Sequence, residues 1–316
     1  MSAPRNDAPD AVLRGRTIVV TGVTGQVGEP VAVALARHND VVGAARFPPA
    51  RARARARLEA AGVRCVPVDL SAGQLQGLPV DADYVLNFAV SKSNDWETDL
   101  DVNCGGLALL MEHHRHARAL LHCSTTAVYK PMGHHAFAEN DPLGDNHGVW
   151  PFLRTYSIGK IAAEATARWG ARRYEVPTIV TRLSVPYGER GGWPAVHLHM
   201  MIDGNAIPVH VDVPSVYHPI HEDDIVRMLP ALLSAASVPA TVVNWGGDEP
   251  VSIEQWCTYL GELTGLEARF EPTASTIDSG CLDLDKMHAI AGRTTVDWRV
   301  GMRRMVGARH GDLLKS

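Results

Sequence analysis

Two short segments carry residue types at spacings suited to chemistry. The first, Thr21-Gly22-Val23-Thr24-Gly25-Gln26-Val27-Gly28, directly follows the apolar run Thr17-Ile18-Val19-Val20. A dinucleotide pyrophosphate needs backbone N–H groups aimed at it and no side chain in the way. A strand-to-helix turn supplies both, and the helix adds its positive end. Gly22 suits the tight turn, Gly25 the approach of the phosphates, and Gly28 the close packing of helix on strand. The spacing is GxxGxxG rather than the general GxGxxG. An ordinary turn is the alternative, and three glycines in register make it the weaker one. The second segment is Tyr156-Ser157-Ile158-Gly159-Lys160. On a helix, positions i and i+4 share a face, so Tyr156 and Lys160 can enter one cleft. A phenol of pKa about 10 is a poor proton donor or acceptor at neutral pH, and a nearby ammonium favours the phenolate. Lys160 is also placed to hydrogen-bond a nicotinamide ribose.

YxxxK alone is weak, because a surface helix often shows such a pair by chance. Its context strengthens it. The apolar run Leu120-Leu121-His122-Cys123 ends in Ser124-Thr125-Thr126. This puts hydroxyls at the carboxyl edge of a sheet, where doubly wound folds bind ligands and where one hydroxyl can orient a substrate oxygen against Tyr156. Gly159 inside the helix costs about 1 kcal/mol relative to Ala, and close approach to cofactor or sheet would explain it.

These residues need a frame. Up to about residue 190, short apolar runs alternate with segments of helical period. Strands are expected at 17–21, 40–45, 63–68, 83–89, 120–124 and 178–183. Helices are expected at 25–38, 49–61, 98–116 and 155–173, with a short one after the third strand. The fold class is therefore α/β, a Rossmann-type doubly wound parallel sheet spanning 15–190. Beyond Gly188 the rhythm breaks. Helical pieces at 195–203, 222–236 and 253–263, and short strands at 207–211 and 242–244, are expected to form a smaller C-terminal substrate-binding lobe over 191–316, with segments returning to the sheet. Residues 1–14 are polar, rich in Pro and Asp, and are expected to be a flexible tail.

The end of the second strand reports cofactor choice. An acid there would bind the adenosine ribose 2′-OH, whereas an arginine favours a 2′-phosphate. Ala45 holds that position and Arg46 follows. Arg46 thus favours NADP over NAD, since a guanidinium matches phosphate in geometry and charge. The alternating Arg51 to Arg57 run reads as a solvated helix face, with added positive potential at the cofactor as the weaker alternative.

Composition narrows the class. The net charge of -5 offers no basic field for nucleic acid. No apolar stretch reaches the roughly 20 residues of a membrane span. The odd set Cys65, Cys104, Cys123, Cys257 and Cys281 forms no CxxC and fits a reducing, cytoplasmic setting. The clusters His113-His114-x-His116, His134-His135 and His197-x-His199 match no zinc spacing, so no metal is expected. Trp150, Trp193, Met200 and Met201 either shape an apolar substrate pocket or pack the lobe core.

Taken together, these segments resemble the extended short-chain dehydrogenase/reductase superfamily, the NAD-dependent epimerase/dehydratase group. The likeness runs from Thr17 to about His310. Its motifs recur in order: TGxxGxxG at 21–28, Asp69-Leu70, Asn87-Phe88-Ala89-Val90, Asn103, Ser124 to Tyr129, YxxxK, Arg182 to Gly188, and His218 to Asp224. The resemblance implies that Asp69 and Leu70 contact adenine and that Phe88, Ala89 and Val90 line the cofactor, with Thr24, Gln26 and Val27 of the glycine-rich turn. It also implies that Thr125 is the active-site hydroxyl and that Leu183 lies by the nicotinamide. Dimerisation is implied through the helices at 98–116 and 155–173. The departures bear on substrate. Val185 stands where nucleotide-sugar epimerases usually carry Asn, and Tyr217 where they often carry Arg. Thr126-Ala127 stand where sugar dehydratases carry Asp-Glu.

The sequence thus predicts an NAD(P)-dependent oxidoreductase acting on a small carbonyl or alcohol substrate through Thr125, Tyr156 and Lys160. Two alternatives remain: a sugar or nucleotide-sugar epimerase with tightly bound NAD, and a non-catalytic dinucleotide-binding sensor or scaffold.

Overall fold

The computed structural model describes residues 13–315. The tail expected at 1–14 falls mainly on residues 1–12, outside those described; Leu13, within the expected span, is buried in the core. Six strands of the expected sheet form where expected: β1 (Thr17–Thr21), β2 (Asp40–Ala45), β3 (Arg64–Pro67), β4 (Tyr84–Asn87), β5 (Ala119–Thr125) and β6 (Thr178–Leu183). A seventh, β12 (Thr241–Trp245), pairs with β6 at the edge. The order is β12-β6-β5-β4-β1-β2-β3, and every neighbouring pair is parallel. Strands covered on both faces read as unbroken apolar runs, which is why 17–21 and 119–125 show no alternation. The direction of winding reverses between β1 and β4, and at such a point the connections diverge to leave a crevice at the carboxyl ends.

Helices α1 (Gly28–Ala36) and α2 (Ala52–Ala60) follow β1 and β2. The segment expected as one helix over 98–116 is instead α3 (Trp96–Leu100), a π-helical turn over Asp101–Gly105, and α4 (Gly106–His113). The wide turn is held by Asn103, whose amide both accepts from Ser91 N (2.8 Å) and donates to Ser91 O (2.8 Å). The short helix expected after β3 is replaced by a turn. The Asp69 carboxylate accepts from Ser71 N and Oγ (3.0 and 2.6 Å), a local pairing that competes with helix.

Helix α5 (Tyr156–Tyr174) buries Ala163, Ala167, Gly170 and Ala171. A methyl at Gly170 would stand 2.5 Å from Met111 Sδ, so small residues let α5 lie close against α4. Its anchor is charged. Glu164 accepts from Arg182 Nε and Nη2 of β6 (2.9 and 2.8 Å) and from Ser124 Oγ of β5 (2.7 Å), all buried. Arg182 also donates to Glu139 O (2.9 Å) and lies 4.8 Å over the Tyr129 ring. A bidentate guanidinium–carboxylate pair fixes distance and angle together.

The remaining chain forms β7 (Pro186–Gly188), β8 (Gly191–Gly192), α6 (Trp193–Ile202), β9 (Ile207–His210), β10 (Val216–Tyr217), β11 (Ile220–His221), α7 (Glu222–Ser234), β13 (Val251–Ser252), α8 (Ile253–Thr264), β14 (Phe270–Thr273), α9 (Asp285–Ala291) and α10 (Trp298–His310). A separate apolar core, with Leu198, Trp256, Leu260, Met302 and Met305, joins α6, α8 and α10. Two pieces expected in this lobe belong to the sheet body. One is β12. The other is α7, whose stripe Ile225, Met228, Leu229, Leu232 and Leu233 shares the core of β1 and α1, because its apolar face fits the open side of the sheet. Among the described residues no helix is long and apolar enough to cross a membrane.

Glu164→Ala is expected to leave a buried guanidinium without its partner and cost about 3–5 kcal/mol. Urea unfolding reads this as a lowered midpoint; a midpoint equal to wild type would contradict the anchoring role.

Candidate active site

A cleft of about 650 Å³ runs along the carboxyl ends of the strands. At one end lies the glycine-rich turn. Gly22 has φ 64°, and a Cβ there would stand 2.7 Å from Ala89 N and the Phe88 carbonyl, so the turns after β1 and β4 press together. A Cβ on Gly28 would stand 2.5 Å from Gly22 O. Gly25 N–H closes the turn on Gly22 O at 2.9 Å. The amides of Gln26, Val27 and Gly28 donate to no backbone carbonyl among the described residues. They form the unsatisfied start of α1, the donor set that a phosphate requires.

At the other end Thr125, Tyr156 and Lys160 meet. Thr125 is the last residue of β5, and its Oγ1 accepts from Ala127 N at 3.2 Å, which fixes its rotamer in the short turn that follows. Ser124 and Thr125 both line the cleft, but the Ser124 hydroxyl is committed to Glu164, which leaves Thr125 as the hydroxyl beside Tyr156. Tyr156 opens α5 and is half-buried; Lys160, one turn on, is buried. Lys160 Nζ donates to Cys123 O at 2.8 Å.

Burial lowers the Lys160 pKa from its ordinary value. Burial likewise pushes the Tyr156 phenol up to about 12, with Thr125 acting in the opposite direction. The ammonium is spent on the Cys123 carbonyl and does not pull the phenol down. The sequence-based expectation of a lowered tyrosine pKa therefore does not hold in this arrangement.

The other residues singled out from sequence all line the same cleft: Thr24, Arg46, Asp69, Leu70, Phe88, Ala89, Val90 and Leu183, beside Gln26 and Val27. Hydrogen bonds from the Ser71 hydroxyl, aided by the Arg46 charge, hold the Asp69 carboxyl below its ordinary range. Contact with the sheet does not require a glycine at position 159. A Cβ there would meet only Asn103 Nδ2, at an ordinary 3.6 Å, among the described residues.

Several neighbours of the site escaped sequence reasoning. Asp99 accepts from Ser91 Oγ (2.5 Å), Ser93 N and Oγ (2.9 Å each) and Thr155 Oγ1 (2.6 Å), binding the loop after β4 to the start of α5. Burial would raise its pKa, but these hydrogen bonds outweigh it and the net shift is downward. Beneath the glycine-rich turn, Thr21, Asn87 and His122 form a buried polar ladder across β1, β4 and β5. Lys92 lines the cleft near Tyr156. His147 packs edge-on to Tyr156, ring centroids 5.2 Å apart, and from it a row of rings runs through Trp150 (5.8 Å) and Trp193 (6.5 Å) to Tyr217 (5.0 Å). Met201 is buried in the lobe core, and Met200, Trp150 and Trp193 pack against it. The ties between Asp99 and Thr155, among Thr21, Asn87 and His122, and from Trp150 through Trp193 to Tyr217 join residues distant in sequence and have no local spacing signature.

The motif segment His218 to Asp224 serves architecture through His221 and Asp224. His221 Nδ1 caps α7 by accepting from Asp223 N (3.1 Å), and Asp224 accepts from Thr295 N and Oγ1 and from Val296 N. Val185 and Tyr217 are both buried, and the Tyr217 hydroxyl is spent on Asp278 O at 2.9 Å.

Such a sheet, with a phosphate-ready turn at one end and a Thr–Tyr–Lys set at the other, is the arrangement of an extended short-chain dehydrogenase/reductase. Residues 18–246 match the sequence model of the NAD dependent epimerase/dehydratase family, and the chain belongs to that family. A curated relative, the low-salt glycan biosynthesis protein Agl12 of Haloferax volcanii, is 24% identical over 274 residues, covering 80% of this chain and 84% of that protein. The UDP-glucuronic acid 4-epimerase of Bacillus cereus, solved with UDP-glucuronic acid and NAD, superposes with TM-score 0.80 at 20% identity, covering 92% of this chain and 98% of that one. DesIV, a dTDP-glucose 4,6-dehydratase of Streptomyces venezuelae solved with NAD, gives TM-score 0.80 at 20% identity, covering 94% and 97%. These two structures share the fold with this chain.

Burial pushes His114 and His147 down to about 4 each. Both stay neutral in the folded chain, whereas an unfolded histidine titrates near 6.5. Stability is thus intact above about 6.5 and declines as pH falls towards 4, by up to roughly 3 kcal/mol per histidine. Urea unfolding at pH 7.5 and 4.5 checks this. His147→Asn is expected to narrow the gap, and an unchanged gap would contradict the assignment.

Proposed function

We propose that this protein is an NAD(P)-dependent oxidoreductase that interconverts a carbonyl and an alcohol. The convergence of Thr125, Tyr156 and Lys160 at the end of a cleft opposite the bare amides of 26–28 carries the reading. A bound nicotinamide supplies the hydride chemistry. The amides of 26–28 seat its pyrophosphate, and Lys160 holds the ribose. Thr125 orients the substrate oxygen, and Tyr156 exchanges the proton at that oxygen. The phenol, held at about 12, carries its proton at neutral pH and can donate it to a developing alkoxide. Asp69, Leu70, Phe88, Ala89, Val90 and Leu183 are proposed to line the cofactor. Arg46, at the cleft after β2, is proposed to take a 2′-phosphate, making NADP the preferred form over the NAD found in the structural neighbours.

The family and its neighbours favour a second reading, an epimerase that holds NAD and returns the hydride to the same substrate. Against it stand Val185 and the locked Tyr217, neither able to anchor a sugar nucleotide. Dehydratase chemistry lacks its acid and base, since Thr126-Ala127 follow Thr125.

The homodimer is proposed through α4 and α5. Supporting it, Ile158, Ala162, Ala165 and Trp169 make one stripe on α5, with Trp169 52% exposed. Light scattering that finds a monomer would overturn this part.

Tyr156→Phe is expected to lose about 10²–10⁴-fold in turnover, the worth of a positioned acid–base group, while binding cofactor as wild type does. Stopped assays with NADPH and fluorescence titration with NADPH and NADH measure both. A fully active variant would end the mechanism. Redox-neutral turnover on cofactor that survives purification would favour the epimerase, and binding without turnover on any carbonyl would favour a sensor. Tenfold tighter NADH binding would overturn the role of Arg46 alone.

A further inference from the structure

Beside the glycine-rich turn lies a second recess of about 400 Å³ that the reading above does not use. Its walls are four arginines, Arg51, Arg57, Arg190 and Arg309, with one carboxylate, Glu29, and the loop 24–26. The arginines come from separate parts of the chain: the short turn before α2, α2 itself, the β7–β8 connection and the last turn of α10.

Glu29 is buried and organises two of them. It accepts from Arg57 Nε and Nη2 (2.7 and 3.1 Å) and pairs with Arg190 Nε (3.2 Å). Arg51 and Arg309 have no carboxylate partner among the described residues. Arg309 is nevertheless held in place. Its Nη1 donates to Arg190 O (2.7 Å), and a methyl at Gly191 would stand 3.4 Å from that nitrogen and 3.6 Å from Gln26 Oε1.

Four guanidinium groups around one carboxylate repel one another, and the recess is compensated only when a further anion enters. Planar forks of N–H donors match phosphate oxygens in geometry, and a phosphate is charged enough to serve several of them at once. We propose that this recess is a binding site for a phosphate group, adjoining the pyrophosphate seat at Gln26, with donors from Arg51 and from the N–H groups of Arg309 left over from Arg190 O (2.7 Å) and His199 Nε2 (3.3 Å). Two sources share that chemistry. Thr24, Gly25, Gln26 and Arg51 line both the recess and the cofactor cleft, so a dinucleotide's 2′-phosphate is one, in which case Arg51 and Arg309 hold it in place of Arg46. The phosphate of a separate molecule is the other.

The test is calorimetric titration of the full chain with inorganic phosphate at constant ionic strength, alone and with NADH or NADPH at saturation. Wild type is expected to bind phosphate, and Arg51→Gln and Arg309→Gln to weaken it about tenfold each, the worth of one charge-assisted hydrogen bond. Both side chains are exposed, and a thermal melt matching wild type confirms that each variant is folded. Phosphate excluded by NADPH but not by NADH identifies the 2′-phosphate as occupant. Phosphate that binds beside both identifies a separate molecule. No phosphate binding by wild type, binding unchanged in both variants, or exclusion by NADH would overturn the site. Failure of the nucleotides to bind at all would instead count against the oxidoreductase reading, because phosphate binding to the free protein tests the recess by itself.

Discussion

The buried pair between Glu164 and Arg182 is the constraint on which the site rests. Tyr156 and Lys160 can act only if α5 keeps one height and one rotation against the sheet. The helix face that meets the sheet is mostly alanine and glycine, which allows close approach but resists sliding poorly. The bidentate contact supplies the missing register, and Ser124 ties the same carboxylate to β5. Thr125, the next residue along that strand, is thereby held opposite the start of α5. Asp99 does the same from the other side, tying Thr155 to the loop that carries Lys92. Charge buried for position is costly, and a bidentate pair with further hydrogen bonds is the form in which it is tolerated.

The electrostatics of the cleft follow from burial. Lys160 is an ammonium enclosed by protein, with the Cys123 carbonyl as its hydrogen-bond acceptor. Tyr156 sits above it as a neutral phenol with a raised pKa. Lys92 adds a second positive charge near this end, and its field contributes to the lowering of both Lys160 and His147. This end of the cleft therefore favours developing negative charge on a substrate oxygen, and the opposite end offers free amides to a diphosphate. The aromatic row from His147 to Tyr217 runs from Tyr156 into the core of the smaller lobe.

What could be read from sequence was local. Gly22, Gly25 and Gly28 declare a turn because only that backbone tolerates no side chain, and Tyr156 and Lys160 declare one helix face by spacing alone. The apolar runs of β1, β2 and β6 gave their bounds directly. Pairing across the fold was illegible. Glu164 and Arg182 look like ordinary charged residues until α5 is laid on β6. The segment expected at 98–116 runs from Trp96 to His113, and its π-helical turn depends on Asn103 reaching Ser91. The strand at 242–244 was visible, yet its return to the sheet edge depended on a partner far back in the chain. Arg51 and Arg57 read as a solvated face because nothing local reveals Arg190 and Arg309 beside them.

The most direct test of the central claim is a crystal structure of the protein with NADP or NAD bound. The account predicts the pyrophosphate on the amides of 26–28 and the nicotinamide between Leu183 and Tyr156. It also predicts Lys160 turned from the Cys123 carbonyl towards the ribose. A nicotinamide ring lying outside the space bounded by Thr125, Tyr156 and Leu183 would contradict it.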